Sequence, residues 1–228
     1  MYLTEKHIIK RTHSFYNECD RLCFQSKNIY NQGLYNVRQH YFNTKKYLNY
    51  YGNYNLTKTQ ECYDYLPKKV FTQTLKHVDM VFKSFFALLK NKNVKNKIPK
   101  YLDKVNGRYV ATFTKQAISL REFKKTGKLR LSQTDIYIAT KLTDFSSLKE
   151  VRIVPRTHHY VIEVVYLVKE KTRCDNGKYA SIDLGLNNLA TVAFNDGSKP
   201  LIVNGRPLKS INQYYNKKKA QYQSRLKG

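Results

Sequence analysis

Residues 179–194 read YASIDLGLNNLATVAF, and in this run one carboxylate, Asp183, stands alone inside an otherwise apolar strand pattern. Tyr179, Ala180, Ser181 and Ile182 precede it with the small and β-branched content of a buried strand, and Leu184 and Gly185 follow. An ionised carboxylate avoids apolar surroundings unless it is paired, hydrogen-bonded or bound to a metal. An Asp on a core strand that ends in a glycine turn therefore points to a hard cation such as Mg²⁺. A lone Asp near a strand end also serves as a turn or cap residue, and spacing alone leaves both roles open.

Two further strands are predicted at 189–194 and 201–203, separated by the turn formers Asn195, Asp196, Gly197 and Ser198. Asp-Gly is a strong hairpin signal. Pro207 and Ser210 then lead into a Lys-rich helix over 211–226, with Tyr214, Tyr215 and Tyr222 available to pack. An acid-bearing strand, an antiparallel hairpin and a helix make the opening order of a ribonuclease H-like domain.

IDLGLNNLATV (182–192) followed by NGRPLKSINQYYNKKKAQYQS (204–224) closely resembles the start of the RuvC-like nuclease domain of TnpB, or OrfB, proteins of insertion sequences. VRIVPRTHHYVIEVVY (151–166), LPKKVFTQTL (66–75) and ECDRLCFQSKNIYN (18–31) extend the resemblance over nearly the whole chain. It implies a transposon-encoded, RNA-guided DNA endonuclease related to the type V CRISPR effectors. Guide RNA and target DNA are the implied partners, Mg²⁺ the implied cofactor, and Asp183 the first of three catalytic, metal-binding acids. The implied fold is α+β: a helical recognition segment (13–92) inserted in a small antiparallel β-barrel, the wedge domain (1–12 and 93–172). The start of a RuvC-like domain follows at 178–228, after a polar hinge at Arg173 to Lys178.

The 228 residues carry 42 Lys plus Arg against 16 Asp plus Glu, a net charge of +26. Such an excess repels itself unless a polyanion is near, and nucleic acid is the natural counterion. No apolar run approaches the roughly 20 residues of a membrane span, and MYLTEKHIIKRTH lacks the apolar core of a signal peptide, so a cytoplasmic, nucleoid-associated setting is expected. Cys19, Cys23, Cys62 and Cys174 form no CxxC pair and are expected to be reduced thiols rather than zinc ligands. His158 and His159 alternate across a strand, a poor chelating geometry.

Along the first half, Cys19, Leu22, Ser26, Ile29, Gly33, Val37 and Tyr41 recur three and four apart and predict one helix face, with Arg21, Lys27 and Arg38 on the other side. Residues 1–10 are expected to form a strand contributed to another domain. Residues 43–62 show no sustained period and are expected to be loop or short turn elements; their tyrosines and lysines suit base stacking with phosphate contact or simple local packing. Phe71, Leu75, Val78, Phe82, Phe85 and Leu89 mark a second helix, and Lys69, Lys76, Lys83 and Lys90 recur every seven residues as a basic stripe beside that seam. A solvated lysine face needs no nucleic acid. The absence of interspersed Glu favours a stripe that faces guide RNA or the guide:target duplex.

A basic linker over 90–104 contributes Lys97 and Lys100 as further candidate nucleic-acid contacts with Arg38, and Pro99 breaks any helix there. Strands are predicted at 109–114, 117–120, 128–131, 137–142, 151–154 and 160–168, with a hairpin around Arg156, Thr157 and His158 and a turn at Gly127. Phosphodiester hydrolysis with two Mg²⁺ takes several carboxylates around ions about 4 Å apart. After Lys178 the only acid besides Asp183 is Asp196, in the expected hairpin turn. The resemblance places a second acid, zinc-binding CxxC pairs and a third acid downstream of the final helix, so zinc is not expected here and the active site is expected to be incomplete. Three readings follow: a truncated TnpB-like protein, a binding module without cleavage that acts as regulator or competitor, and a basic nucleic-acid chaperone without a guide.

Overall fold

Residues 1–89, 97–169 and 175–226 are described by a computed structural model, and the chain divides into two units, Met1–Glu170 and Lys171–Gly228. In chain order the first unit runs β1 (Tyr2–Ile9), α1 (Tyr16–Thr44), α2 (Tyr50–Thr57), α3 (Lys68–Leu89), β2 (Ala111–Thr114), α4 (Leu120–Thr126), β3 (Lys128–Arg130), β4 (Tyr137–Ala139), β5 (Leu148–Pro155) and β6 (Tyr160–Leu167). Four strands make an antiparallel sheet in the order β1-β6-β5-β2, while β3 pairs with β4. The first strand thus joins strands that lie beyond the helices, from Tyr2↔Leu167 to Ile9↔Tyr160.

The expected barrel is instead an open sheet, with β1 and β2 as its edges among the described residues. The β3–β4 ladder has three residue pairs, and an isolated bridge, Ile118↔Leu131, lies beside it. Helices cover the apolar face of the sheet, which removes the need for closure. Phe113, Val151, Ile153 and Val164 share one buried cluster with Leu22 and Cys23 of α1 and Phe71 and Leu75 of α3. Each of these large side chains contributes about 1.5–3 kcal/mol by burial.

The face predicted on α1 is buried at Cys19, Leu22, Ser26, Ile29, Gly33 and Val37, but Lys27, expected on the solvent side, is buried too. Its amine lies 3.9 Å from the Phe24 ring centroid and donates to the Lys104 carbonyl at 2.6 Å. Burial, with Arg108 nearby, pulls its pKa below the usual lysine range. The α1 helix ends at Lys45, which takes a left-handed φ of 59° and donates its N–H to Tyr41.

The segment expected to be loop contains α2. Asn49 caps it by accepting from the Gly52 N–H at 3.0 Å. No apolar period betrays this helix because its buried face is polar: Asn53 donates to the Gly33 carbonyl at 3.1 Å, and Asn36 of α1 donates to both Asn53 and Thr57. Of residues 117–120, expected as strand, only Ile118 pairs, in the bridge to Leu131, and Ser119 caps a helix that begins at Leu120. Ser119 accepts from Glu122 N–H at 3.2 Å, half of a capping box, and Gly127, with φ of 70°, ends α4 rather than turning a hairpin. The hairpin between β5 and β6 forms at 156–159, closed by Arg156 N–H to the His159 carbonyl at 2.9 Å.

The second unit holds β7 (Ala180–Leu184), β8 (Asn188–Phe194), β9 (Leu201–Asn204) and α5 (Arg206–Arg225). The strands form an antiparallel sheet in the order β7-β8-β9, with Asp183 opposite Thr191. Gly205, which precedes α5, approaches the β7–β8 turn closely; a Cβ there would lie 2.8 Å from the Leu186 carbonyl oxygen and 3.1 Å from Leu189 N. Glycine is therefore required at 205 for the turn after Asp183 to meet the helix start.

Candidate nucleic-acid interface

The packing of α3 decides which way its lysines project. Val70, Phe71, Thr74, Leu75, Val78 and Phe82 are buried, and Phe85 packs against a second cluster in which Val78 and Phe82 join Tyr30, Leu34 and Val37 of α1. Lys69, Lys76 and Lys83 are exposed, on positions seven apart. Lys90, the fourth member of the predicted stripe, lies outside the described residues.

The stripe is not free of acids. Asp79, four residues before Lys83, pairs with it at 2.7 Å and also accepts a hydrogen bond from the Tyr47 phenol. Burial pushes the Asp79 carboxyl up, but the Lys83 and Tyr47 hydrogen bonds outweigh it and hold the group below the usual range. That i, i+4 spacing was visible in the sequence as an Asp rather than the Glu usual in such pairs. Lys69 and Lys76 have no acid bonded to them among the described residues, and Lys76 stands 5.8 Å from the Tyr50 ring centroid.

Arg38 is engaged by the protein itself. Its guanidinium donates to the Pro99 carbonyl at 2.8 Å and lies 4.8 Å from the Tyr101 ring centroid. It belongs to a series in which α1 holds the segment before β2 through that segment's backbone. Asn31 both donates to and accepts from Leu102, Lys27 donates to Lys104, Cys23 accepts from Tyr109 N–H, and Ser26 donates to the Val110 carbonyl. The strap runs antiparallel to the helix. It places Lys97 and Lys100 exposed at its far end.

Asp183 is placed differently from the expectation. All of β7 is exposed, with Ile182 at 61% and Leu184 at 77%, so the carboxylate does not sit on a buried strand. The three strands have too little covering structure within their own unit to bury either neighbour. No group of three or more His, Cys, Asp or Glu that could hold a metal converges among the described residues. Asp196 accepts from Ser198 N–H at 3.0 Å in the β8–β9 turn and from Lys178 at 3.4 Å, the turn role its position suggested. The side chains around Asp183 therefore do not fit a two-ion site, which takes several carboxylates. Of the predicted hinge, Arg173 and Cys174 lie outside the described residues.

No helix among the described residues is long and apolar enough to cross a membrane. No curated protein matches the sequence. Among solved structures, the chain is similar to a chain of the cryo-EM Cas12f1–sgRNA–target DNA complex, at 14% identity over 96% of this chain and 61% of that one, with a TM-score of 0.38. It is also similar to a chain of the cryo-EM CRISPR-Cas12f ternary complex, at 15% identity over 92% of this chain and 52% of that one, with a TM-score of 0.39. The chain thus corresponds to 61% and 52% of the lengths of these two. Residues 156–228 match the OrfB family of IS605, described as a probable transposase. Residues 156–228, about a third of the chain, are thus similar to this transposase family.

Proposed function

We propose that this TnpB-like chain binds nucleic acid, gripping a guide RNA and its DNA target, and that its parent activity is RNA-guided, Mg²⁺-dependent DNA cleavage linked to transposition. One observation carries the binding reading. Lys69 and Lys76 stand exposed on a helix whose opposite face is packed in the core, with no acid bonded to them among the described residues, in a chain of net charge +26. The finer architecture belongs to the same proposal: a helical recognition segment within a wedge domain, then the start of a ribonuclease H-like domain. It is supported by the quoted motifs and by the match over residues 156–228. A cytoplasmic, nucleoid-associated setting goes with it.

Asp183 is proposed as one acid of a cation site that the surrounding described residues leave incomplete. Bound Mg²⁺ would supply charge stabilisation for the leaving and attacking oxygens, and Asp183 is the group here that would contribute an oxygen ligand. The exposed Asp183, with no acids converging on it among the described residues, favours a second reading, a binding module that acts as regulator or competitor without cutting.

Purifying the chain and sequencing the RNA that accompanies it tests the guided reading. One defined RNA species is expected; a collection without preference would leave only chaperone-like binding. Mg²⁺-dependent cleavage of duplex DNA that is lost in Asp183→Ala would contradict the incomplete site.

A further inference from the structure

Between the start of α1 and the β5–β6 hairpin, the first unit has an open cleft of about 920 Å³. Its floor is a closed set of hydrogen bonds. Asp20 accepts from Arg108 Nε at 2.8 Å and Nη2 at 3.0 Å, and from the Tyr160 phenol at 2.5 Å. Arg108 directs its third nitrogen to the Gly107 and Val105 carbonyls at 2.9 and 3.2 Å. Asp20 is the one acid lining the cleft, and the Arg108 guanidinium holds its carboxyl below the usual range. The floor is therefore electrically neutral and fixed, because Asp20, Arg108 and Tyr160 join α1, the strap and β6.

The walls are basic. Arg11 and Arg156 are exposed, and no acid is bonded to either among the described residues. His158 and His159 stand on the hairpin turn, which the Arg156 N–H closes on the His159 carbonyl at 2.9 Å. Both arginines line the cleft over a neutral floor, and a planar guanidinium suits bidentate contact with phosphate oxygens.

We propose that this cleft binds the phosphodiester backbone of nucleic acid, with Arg11 and Arg156 as its charged contacts and the turn histidines as further donors. The proposal rests on the nucleic-acid reading above and adds a contact surface separate from α3.

The test compares the full wild-type chain with R11Q/R156Q and with K124Q/K125Q, which removes the same charge from α4, outside the cleft. Each is titrated with labelled structured RNA and with labelled duplex DNA between about 50 and about 200 mM salt. R11Q/R156Q is expected to weaken one probe at least about tenfold at the low-salt end and to reduce the slope of log K against log salt by about 1.4–1.8, two phosphate contacts. The probe that loses affinity identifies the source of the backbone. Loss no greater than in K124Q/K125Q would overturn the proposal, as would a variant that loses only binding to polyglutamate, which would assign the cleft to an acidic protein surface. If wild type binds neither probe, the general nucleic-acid reading fails as well; if wild type binds and R11Q/R156Q matches it, the cleft assignment alone fails.

Discussion

The Tyr47 phenol donates to the buried Asp79 carboxylate, whose other oxygen pairs with Lys83 at 2.7 Å. The loop after α1 is thereby tied to the same helix that projects the basic stripe. The acid that fixes Tyr47 also neutralises one lysine of that stripe.

Asp79→Asn should therefore move two quantities in opposite directions. Losing a hydrogen bond to a buried charge is expected to cost about 1.5–3 kcal/mol in urea unfolding, mostly through Tyr47, since Lys83 is well exposed. Freeing Lys83 is expected to tighten RNA binding at low salt and to steepen the salt slope by about 0.7–0.9. A variant that is less stable yet binds no better would show that Lys83 does not meet the polyanion.

Charge reversal at Lys76 and Lys83 should weaken RNA binding, and the deficit should shrink as salt rises, because the missing contacts are phosphate contacts. Lys76 is exposed with no acid bonded to it among the described residues, so K76E alone should leave stability within about 0.5 kcal/mol of wild type, whereas K83E sets a second carboxylate beside the buried Asp79 and should destabilise more. Binding equal to wild type across the salt range would remove the stripe from the interface.

Asn53→Ala should destabilise the first unit by about 1–3 kcal/mol, because it leaves the buried Gly33 carbonyl and the Asn36 amide short of partners. Hydrogen exchange should show α2 losing protection before α1 does. Uniform loss across both helices would mean that the amide network does not set the position of α2.

Acid should act on Asp20. Its folded pKa lies below the ordinary aspartate value of about 3.9, so its contribution is present above that pH and is lost as pH falls through the folded value. With its side chain 36% exposed, the pair is screened, and Asp20→Asn is expected to cost about 1 kcal/mol at pH 7. The stabilities of variant and wild type should converge as pH falls below the folded value. A gap that persists there would place the defect in packing rather than in charge.

The elements that bury apolar side chains at regular spacing were legible from the residues alone. Phe71, Leu75, Val78 and Phe82 announce α3, and Tyr160 to Val164 announce a central strand. What escaped was held by polar groups. The Asn36–Asn53–Thr57 network gives α2 no apolar period, and Ser119 with Glu122 starts a helix where a strand was expected. The site was legible as residue types but not as environment: Asp183 sits in a sequence that looks buried, yet its strand is exposed. Burial depends on what covers a strand, and a local pattern does not contain that information.

The strap along α1 has a final consequence. Main-chain groups of Pro99, Leu102, Lys104, Tyr109 and Val110 fasten it together with the side chains of Arg108 and Tyr109, and none of these fastenings uses the side chains at 97 and 100. Positions 97 and 100 could be rewritten, basic to neutral or to aromatic, while the cord that carries them stays tied. The charge carried along this edge of the molecule can in this way be retuned without reopening the question of how the molecule folds.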